Sequence, residues 1–229
     1  LMVLCPDGTV PIARLCATRL SQMEMPLRLY YSHNVYRMAN GLRGHSSEIY
    51  QCGVELIGSG SVRSDMEILE MAASSLETIS GDNGYRLEIC HIGYFKALMD
   101  SLGADEATRE EIRYSIEQKN FASLNDLLEQ FPDNKAAVAL KYLPRLFGGE
   151  EVFEQAYELF DDAQARQSLD YLKTIYTSLQ QLGLGDNVII DLGLVNQAEY
   201  YTGIIFRGYF NEVGEPVLSG GRYDNLLSD

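Results

Sequence analysis

Apolar residues recur along this chain in two different periods, and the changes from one period to the other divide it into three stretches. In the first stretch, strand and helix spacings mix. Residues 11–20 are amphipathic and predict a helix with Pro11 in its first turn. Residues 27–31 and 34–38 predict two short strands. Residues 48–57 alternate apolar with polar positions, as a half-buried strand does. Met66, Leu69, Ala73 and Leu76 share one face of a helix expected from about 65 to 79, and Ser64 with Glu67 fits a capping box at its start. A turn cluster follows at Gly81–Gly84, and residues 85–92 return to strand.

From about residue 104 to 183 the period is helical throughout. Asp105 is a cap for a helix running to 119, and residues 124–130 form the next before Pro132 stops it. Residues 165–182 carry Leu169, Leu172, Tyr176 and Leu179 at helical spacing, and Gly183 ends the run as a glycine C-cap does. After Gly185 strand signals resume at 187–191, at 200–209 and in a short piece near Pro216. Strands on both sides of a helical block, without regular strand-helix alternation, predict an α+β fold. The expected organisation is one discontinuous core, residues 1–103 and 184–229, carrying a helical insertion at 104–183.

Composition changes this picture in one respect. The chain has 229 residues, 33 acidic and 18 basic, for a net charge of −15. Nucleic-acid binders neutralise phosphates with clustered lysine and arginine, so this balance counts against a nucleic-acid partner. No apolar run approaches the roughly 20 residues that span a bilayer, and no secretory signal is present, so a cytoplasmic location is expected. The four cysteines and three histidines show no ligand spacing; reduced thiols, no metal and no cofactor are expected. The chain begins at Leu1 and stops just after a motif, and is read as a piece of a longer protein, truncated at both ends.

Three segments carry candidate chemistry. In NVYRMANGLRGHSSEIYQCGVELIG (34–58), strand spacing points Gln51, Gly53 and Glu55 the same way, with Gly53 leaving room between an amide and a carboxylate. Such a trio suits a small polar ligand bearing an ammonium or an imidazole; a solvent-facing strand edge is the other reading of the same spacing. In DLGLVNQAEYYTGIIFRGY (191–209), Tyr200 and Tyr201 are expected on opposite strand faces, one packing in the core and one offering its hydroxyl, although paired tyrosines also serve packing alone. In SGGRYDNLL (219–227), Gly220 and Gly221 permit close backbone approach, and Arg222, Tyr223 and Asp224 supply a donor, a ring and an acceptor.

In this order, with an insertion between the first and second, the three segments resemble the histidyl-tRNA synthetase family. There a strand like QCGVELIG closes the second class II motif, and L-V-R-G-L-D-Y-Y and G-G-R-Y-D frame the histidine pocket. CPDGT at Cys5–Thr9 is similar to the family's R-P-E/D-x-T loop, with Cys5 where arginine is common. The resemblance implies a class II synthetase-like antiparallel sheet flanked by helices. It also implies a histidine pocket in which Asp7 and Thr9 hold the amino group, and Gln51 and Glu55 contact the amino acid and its imidazole. Tyr200, Tyr201 and Tyr223 wall that pocket, and Arg37 meets the carboxylate.

The departures from the family pattern point away from catalysis. Asn196 stands where synthetases carry the catalytic arginine, and a neutral amide cannot supply its field to an activation transition state. Ala39 replaces the adenine-reading glutamate, and His45 and Ser47 replace phosphate-facing basic residues. A retained amino-acid pocket with lost nucleotide chemistry resembles the regulatory branch of the family. That branch implies a non-catalytic subunit of ATP phosphoribosyltransferase that senses histidine. Its expected partner is the short-form catalytic subunit, in a hetero-octamer built on homodimers, at the first step of histidine biosynthesis. The rival expectations are an active synthetase, which needs ATP, Mg²⁺ and tRNA, and a synthetase-like binding or scaffold protein.

Overall fold

Alternating burial along residues 27–36 and 48–57 makes two strands that pair antiparallel over their whole length, β1 (Leu27–Tyr36) and β2 (Glu48–Ile57), in a register that sets Tyr31 opposite Gly53 and His33 opposite Gln51. The structure, a computed structural model, describes residues 4–38, 46–195 and 201–226. Where two strands are expected at 27–31 and 34–38, one continuous strand forms. Ser32 and His33 between them pair with Cys52 and Gln51, and the ladder runs straight through.

The chain divides into two compact units, residues 1–64 with 225–229 and residues 65–224. In the first unit, helix α1 (Thr9–Thr18) buries Ile12 and Cys16 against Leu27 and Ile57 of the ribbon, with Leu20, Leu29 and Tyr31 packed around them. The helix starts two residues before Pro11. Asp7 holds its first turn, with one carboxylate oxygen accepting from the amides of Thr9 (3.0 Å) and Val10 (3.3 Å).

The second unit is built on a five-stranded sheet of order β4-β5-β3-β6-β7, formed by β3 (Tyr85–His91), β4 (Phe147–Gly148), β5 (Val188–Asp191), β6 (Ile204–Phe210) and β7 (Leu218–Gly221). All pairings are antiparallel except β3 with β5, which is parallel, so the sheet is not wholly antiparallel. β4 also corrects the expectation of helices alone across 104–183, because this two-residue strand supplies the sheet's edge beside β5.

Helices α3 (Ile92–Leu102), α4 (Glu106–Glu117), α5 (Phe121–Leu128), α6 (Lys135–Tyr142), α7 (Glu151–Leu159) and α8 (Ala163–Gln181) share one apolar core with the sheet and with α2 (Val62–Ser80). α3 escapes the periodicity reading because it follows β3 with no turn between. The His91 imidazole takes the place of a turn, its Nδ1 accepting from the Gly93 amide at 3.1 Å. Asp105, Asn120, Asn134 and Asp162 each accept a backbone amide at the start of α4, α5, α6 and α8. α2 begins two residues before Ser64, the expected start of the Ser64–Glu67 box. Ser61 is the residue whose hydroxyl accepts from the Ser64 amide, at 3.3 Å. Among the described residues, no helix is long and apolar enough to cross a membrane.

Candidate functional site

In the first unit the ribbon and the start of α1 bring Asp7, Thr9, Arg37, Gln51 and Glu55 together; strand spacing predicts this for Gln51 and Glu55, and the family resemblance implies it for the other three. Glu55 is 8% exposed and accepts from the Thr9 hydroxyl at 2.7 Å. The Gln51 carbonyl oxygen accepts from Arg37 Nη2 at 2.9 Å, and the Gln51 amide nitrogen donates to the Tyr31 hydroxyl at 2.8 Å. Arg37 is further held by the Pro6 carbonyl, 3.2 Å from its Nε, and by its own amide bonding to the Ser47 carbonyl at 2.9 Å. The result is a row of one guanidinium, one amide, one phenol, one hydroxyl and one buried carboxylate.

Tyr31 is the residue that sequence reasoning missed. Its ring fills the space above Gly53 that spacing alone assigns to a ligand; a Cβ at Gly53, or at Gly8 on the other side, would overlap the ring. Gly53 therefore makes room for a phenol of the protein itself. Burial raises the Tyr31 hydroxyl's pKa, the bond from Gln51 opposes this, and the nearby Glu55 charge adds to it. The signal available beforehand was the antiparallel register, which pairs an aromatic residue with a cross-strand glycine.

In the second unit Tyr201 precedes β6 instead of lying within it. The two-face arrangement expected of Tyr200 and Tyr201 involves Tyr200, which lies outside the described residues. The Tyr201 carbonyl accepts from Lys96 Nζ at 2.7 Å, and its ring sits where a side chain at Gly221 would be. Thr202 donates to Asp224 at 2.7 Å, and Asp224 receives Arg222 Nε at 3.0 Å. Arg222 also reaches Asp65 at 3.4 Å, and Asp65 accepts from the Tyr171 hydroxyl at 2.6 Å. Tyr223 follows Arg222 on this braced segment. His91 lies edge-on to Tyr171; burial first, then the charges of Arg222 and Lys96, push its pKa down to about 4, so it is neutral at physiological pH. Of the sequence departures, Ser47 is described, whereas Ala39, His45 and Asn196 lie outside the described residues.

These residues are the framing segments of one known family, and the family profile described as histidyl-tRNA synthetase matches residues 1–229. The chain belongs to the histidyl-tRNA synthetase family. Within that family it is similar to proteins named ATP phosphoribosyltransferase regulatory subunit. One, from Clostridium kluyveri, is 41% identical over all of this chain and 59% of its own length. Another, from Clostridium acetobutylicum, is 39% identical over 99% of this chain and 56% of its own length. A crystal structure described as an ATP phosphoribosyltransferase regulatory subunit/histidyl-tRNA synthetase from Bacillus halodurans superposes with a TM-score of 0.87 at 36% identity. It covers 98% of this chain and 58% of that one. The chain thus spans between 56% and 59% of the length of these relatives, and its fold is that of the class II synthetase-like family.

Proposed function

We propose that this chain is the core of a non-catalytic regulatory subunit of ATP phosphoribosyltransferase, acting at the first step of histidine biosynthesis. In this reading the partner is the short-form catalytic subunit, which it activates, in a hetero-octamer built on homodimers in the cytoplasm. L-histidine is the effector. The helical stretch 104–183 is read as an insertion in a core formed by 1–103 and 184–229.

The observation that carries the reading is the contrast between two sets of residues. The residues that the resemblance assigns to the amino acid, Thr9, Arg37, Gln51 and Glu55, stand in a hydrogen-bonded row, whereas positions 39, 45 and 47, in the segment that carries Arg37, Gln51 and Glu55, hold Ala, His and Ser. The row suits a zwitterion with an imidazole: Asp7 and Glu55 for positive groups, Arg37 for the carboxylate, Gln51 for a ring nitrogen. The resemblance also assigns Tyr200, Tyr201 and Tyr223 to histidine binding. The names of relatives at 39–41% identity agree with this reading.

Calorimetric titration of the full-length protein with L-histidine, run beside ATP, is the test. Saturable histidine binding without ATP binding, together with faster turnover of the short-form catalytic subunit when the protein is added, is the expected result. Histidine-dependent ATP–pyrophosphate exchange would instead make the protein an active synthetase. Failure to activate or co-purify with the catalytic subunit would leave a binding or scaffold protein.

A further inference from the structure

We infer that the Asp191 carboxyl, set between the sheet and the C-terminal end of α4, is a proton-operated latch on the turn that leads out of β5. The inference concerns that turn alone and does not rest on the histidine reading.

The turn is held from both ends of Asp191. One carboxylate oxygen accepts from the Gly193 amide at 2.9 Å, and its backbone carbonyl accepts from the Leu194 amide at 3.1 Å. The side chain borders a cavity of about 160 Å³ whose charged walls come from three elements. β3 contributes Arg86 and Glu88, which pair at 2.9 Å, with Glu88 only 5% exposed. β6 contributes Arg207 and Tyr209. The end of α4 and the residues after it contribute Glu117, 3.7 Å from Arg207, and Lys119. The fourth neighbour, β4, sets the uncharged Phe147 opposite Asp191. The buried thiol of Cys90 also feels this carboxylate, which adds to the burial that raises its pKa.

Lys119 is the one described non-glycine residue with a positive φ, +52°. A lysine kept in a conformation that favours glycine is worth attention when its charge serves a neighbour. Burial and the charge of Glu88 raise the Asp191 carboxyl to about 6, while the Gly193 amide, Lys119 and Arg207 pull the other way. Above that pH the ionised carboxylate makes a charge-assisted bond to Gly193 and attracts Lys119. That charge is nevertheless held against burial and Glu88, so ionisation favours opening of the turn, whereas below that pH the neutral carboxyl suits its buried setting and the turn stays closed.

Native-state hydrogen exchange of the full-length protein, followed from pH 5 to 8 and corrected for intrinsic amide rates, reads this directly. Corrected exchange at Gly193 and Leu194 is expected to fall by about threefold or more on acidification, with the change setting in near pH 6. Asp191→Asn should abolish the step. Lys119→Gln should move that onset to higher pH and Glu88→Gln to lower pH, because they remove charges of opposite sign. A flat wild-type profile, or an onset that both charge variants leave in place, overturns the latch. The opposed shifts decide the matter even where Asp191→Asn fails to fold.

Discussion

The two units of this chain are held together by different means. In the second, side chains from seven helices and the sheet form one apolar core, and Leu69, Leu98, Leu140, Phe153 and Leu169 are buried to 1% exposure or less. In the first, the fully assembled apolar cluster is Ile12, Cys16, Leu27 and Ile57. Beside it stand the Thr9–Glu55, Arg37–Gln51 and Gln51–Tyr31 hydrogen bonds and a phenol wedged between two glycines. A large core spreads its stabilisation over many contacts that are individually weak. A small cluster leaves each polar contact with a larger share, so the residues of the proposed pocket also help to hold the unit's shape.

The largest expected effect tests the second half of that contrast. Phe153 is fully buried and meets Tyr176 edge-to-face, with ring centroids 6.1 Å apart. Phe153→Ala should destabilise the second unit by about 3–5 kcal/mol in urea unfolding. A cost near that of a surface change would show that this core is not close-packed.

A pH effect comes next, and two groups of the second unit oppose each other in it. His91 is lowered to about 4, so the unfolded state binds the extra proton below its ordinary value of 6.5 and stability falls as pH drops toward 4. Asp191 is raised to about 6, so between its ordinary 3.8 and 6 the folded state binds the extra proton and stability falls as pH rises. The two slopes largely cancel between pH 4 and 6. Asp191→Asn should uncover the His91 slope, making stability fall on acidification by about 1 kcal/mol per pH unit more than in the wild type, after allowance for partial exposure. Parallel stability–pH curves for the two proteins would contradict this.

Gly53→Ala moves the test to the first unit. The new methyl overlaps the Tyr31 ring, so a loss of about 2 kcal/mol is expected, typical of overpacking. Tyr31→Ala in the same chain should recover part of it, because the two sites then no longer conflict. Additive costs would mean that the ring and the glycine are not in contact.

Much of this arrangement was legible from residue pattern, and the exceptions share a physical cause. The bounds of β2, the Asp105 cap and the glycine that ends α8 depend on local periodicity and local hydrogen bonding, which sequence carries. So does the convergence of Gln51 and Glu55 on one strand face. What pattern alone could not supply was register and tertiary pairing. Tyr31 enters the site because β1 pairs with β2 so as to place it over Gly53. β4 exists because a two-residue segment inside a helical stretch meets β5. Tyr201 leaves the strand because Thr202 bonds back to the Arg222 carbonyl at 2.8 Å just before β6 begins.

The smallest expected effect bears most closely on the contrast between the units. Thr9 donates to the buried Glu55 carboxylate at 2.7 Å, and its own amide is bonded to Asp7 at 3.0 Å. Thr9→Val keeps the volume and the branched Cβ but removes the donor. Glu55 then loses one hydrogen bond that water must replace in a mostly closed setting, a cost of about 1–2 kcal/mol for a charged acceptor. Thr9→Ser keeps the hydroxyl and should recover most of it. Unfolding followed by hydrogen exchange in β2 would separate this loss from the second unit's own transition. If Val and Ser behave alike, the bond adds nothing to stability, and the small apolar cluster holds the first unit in the way the large core holds the second.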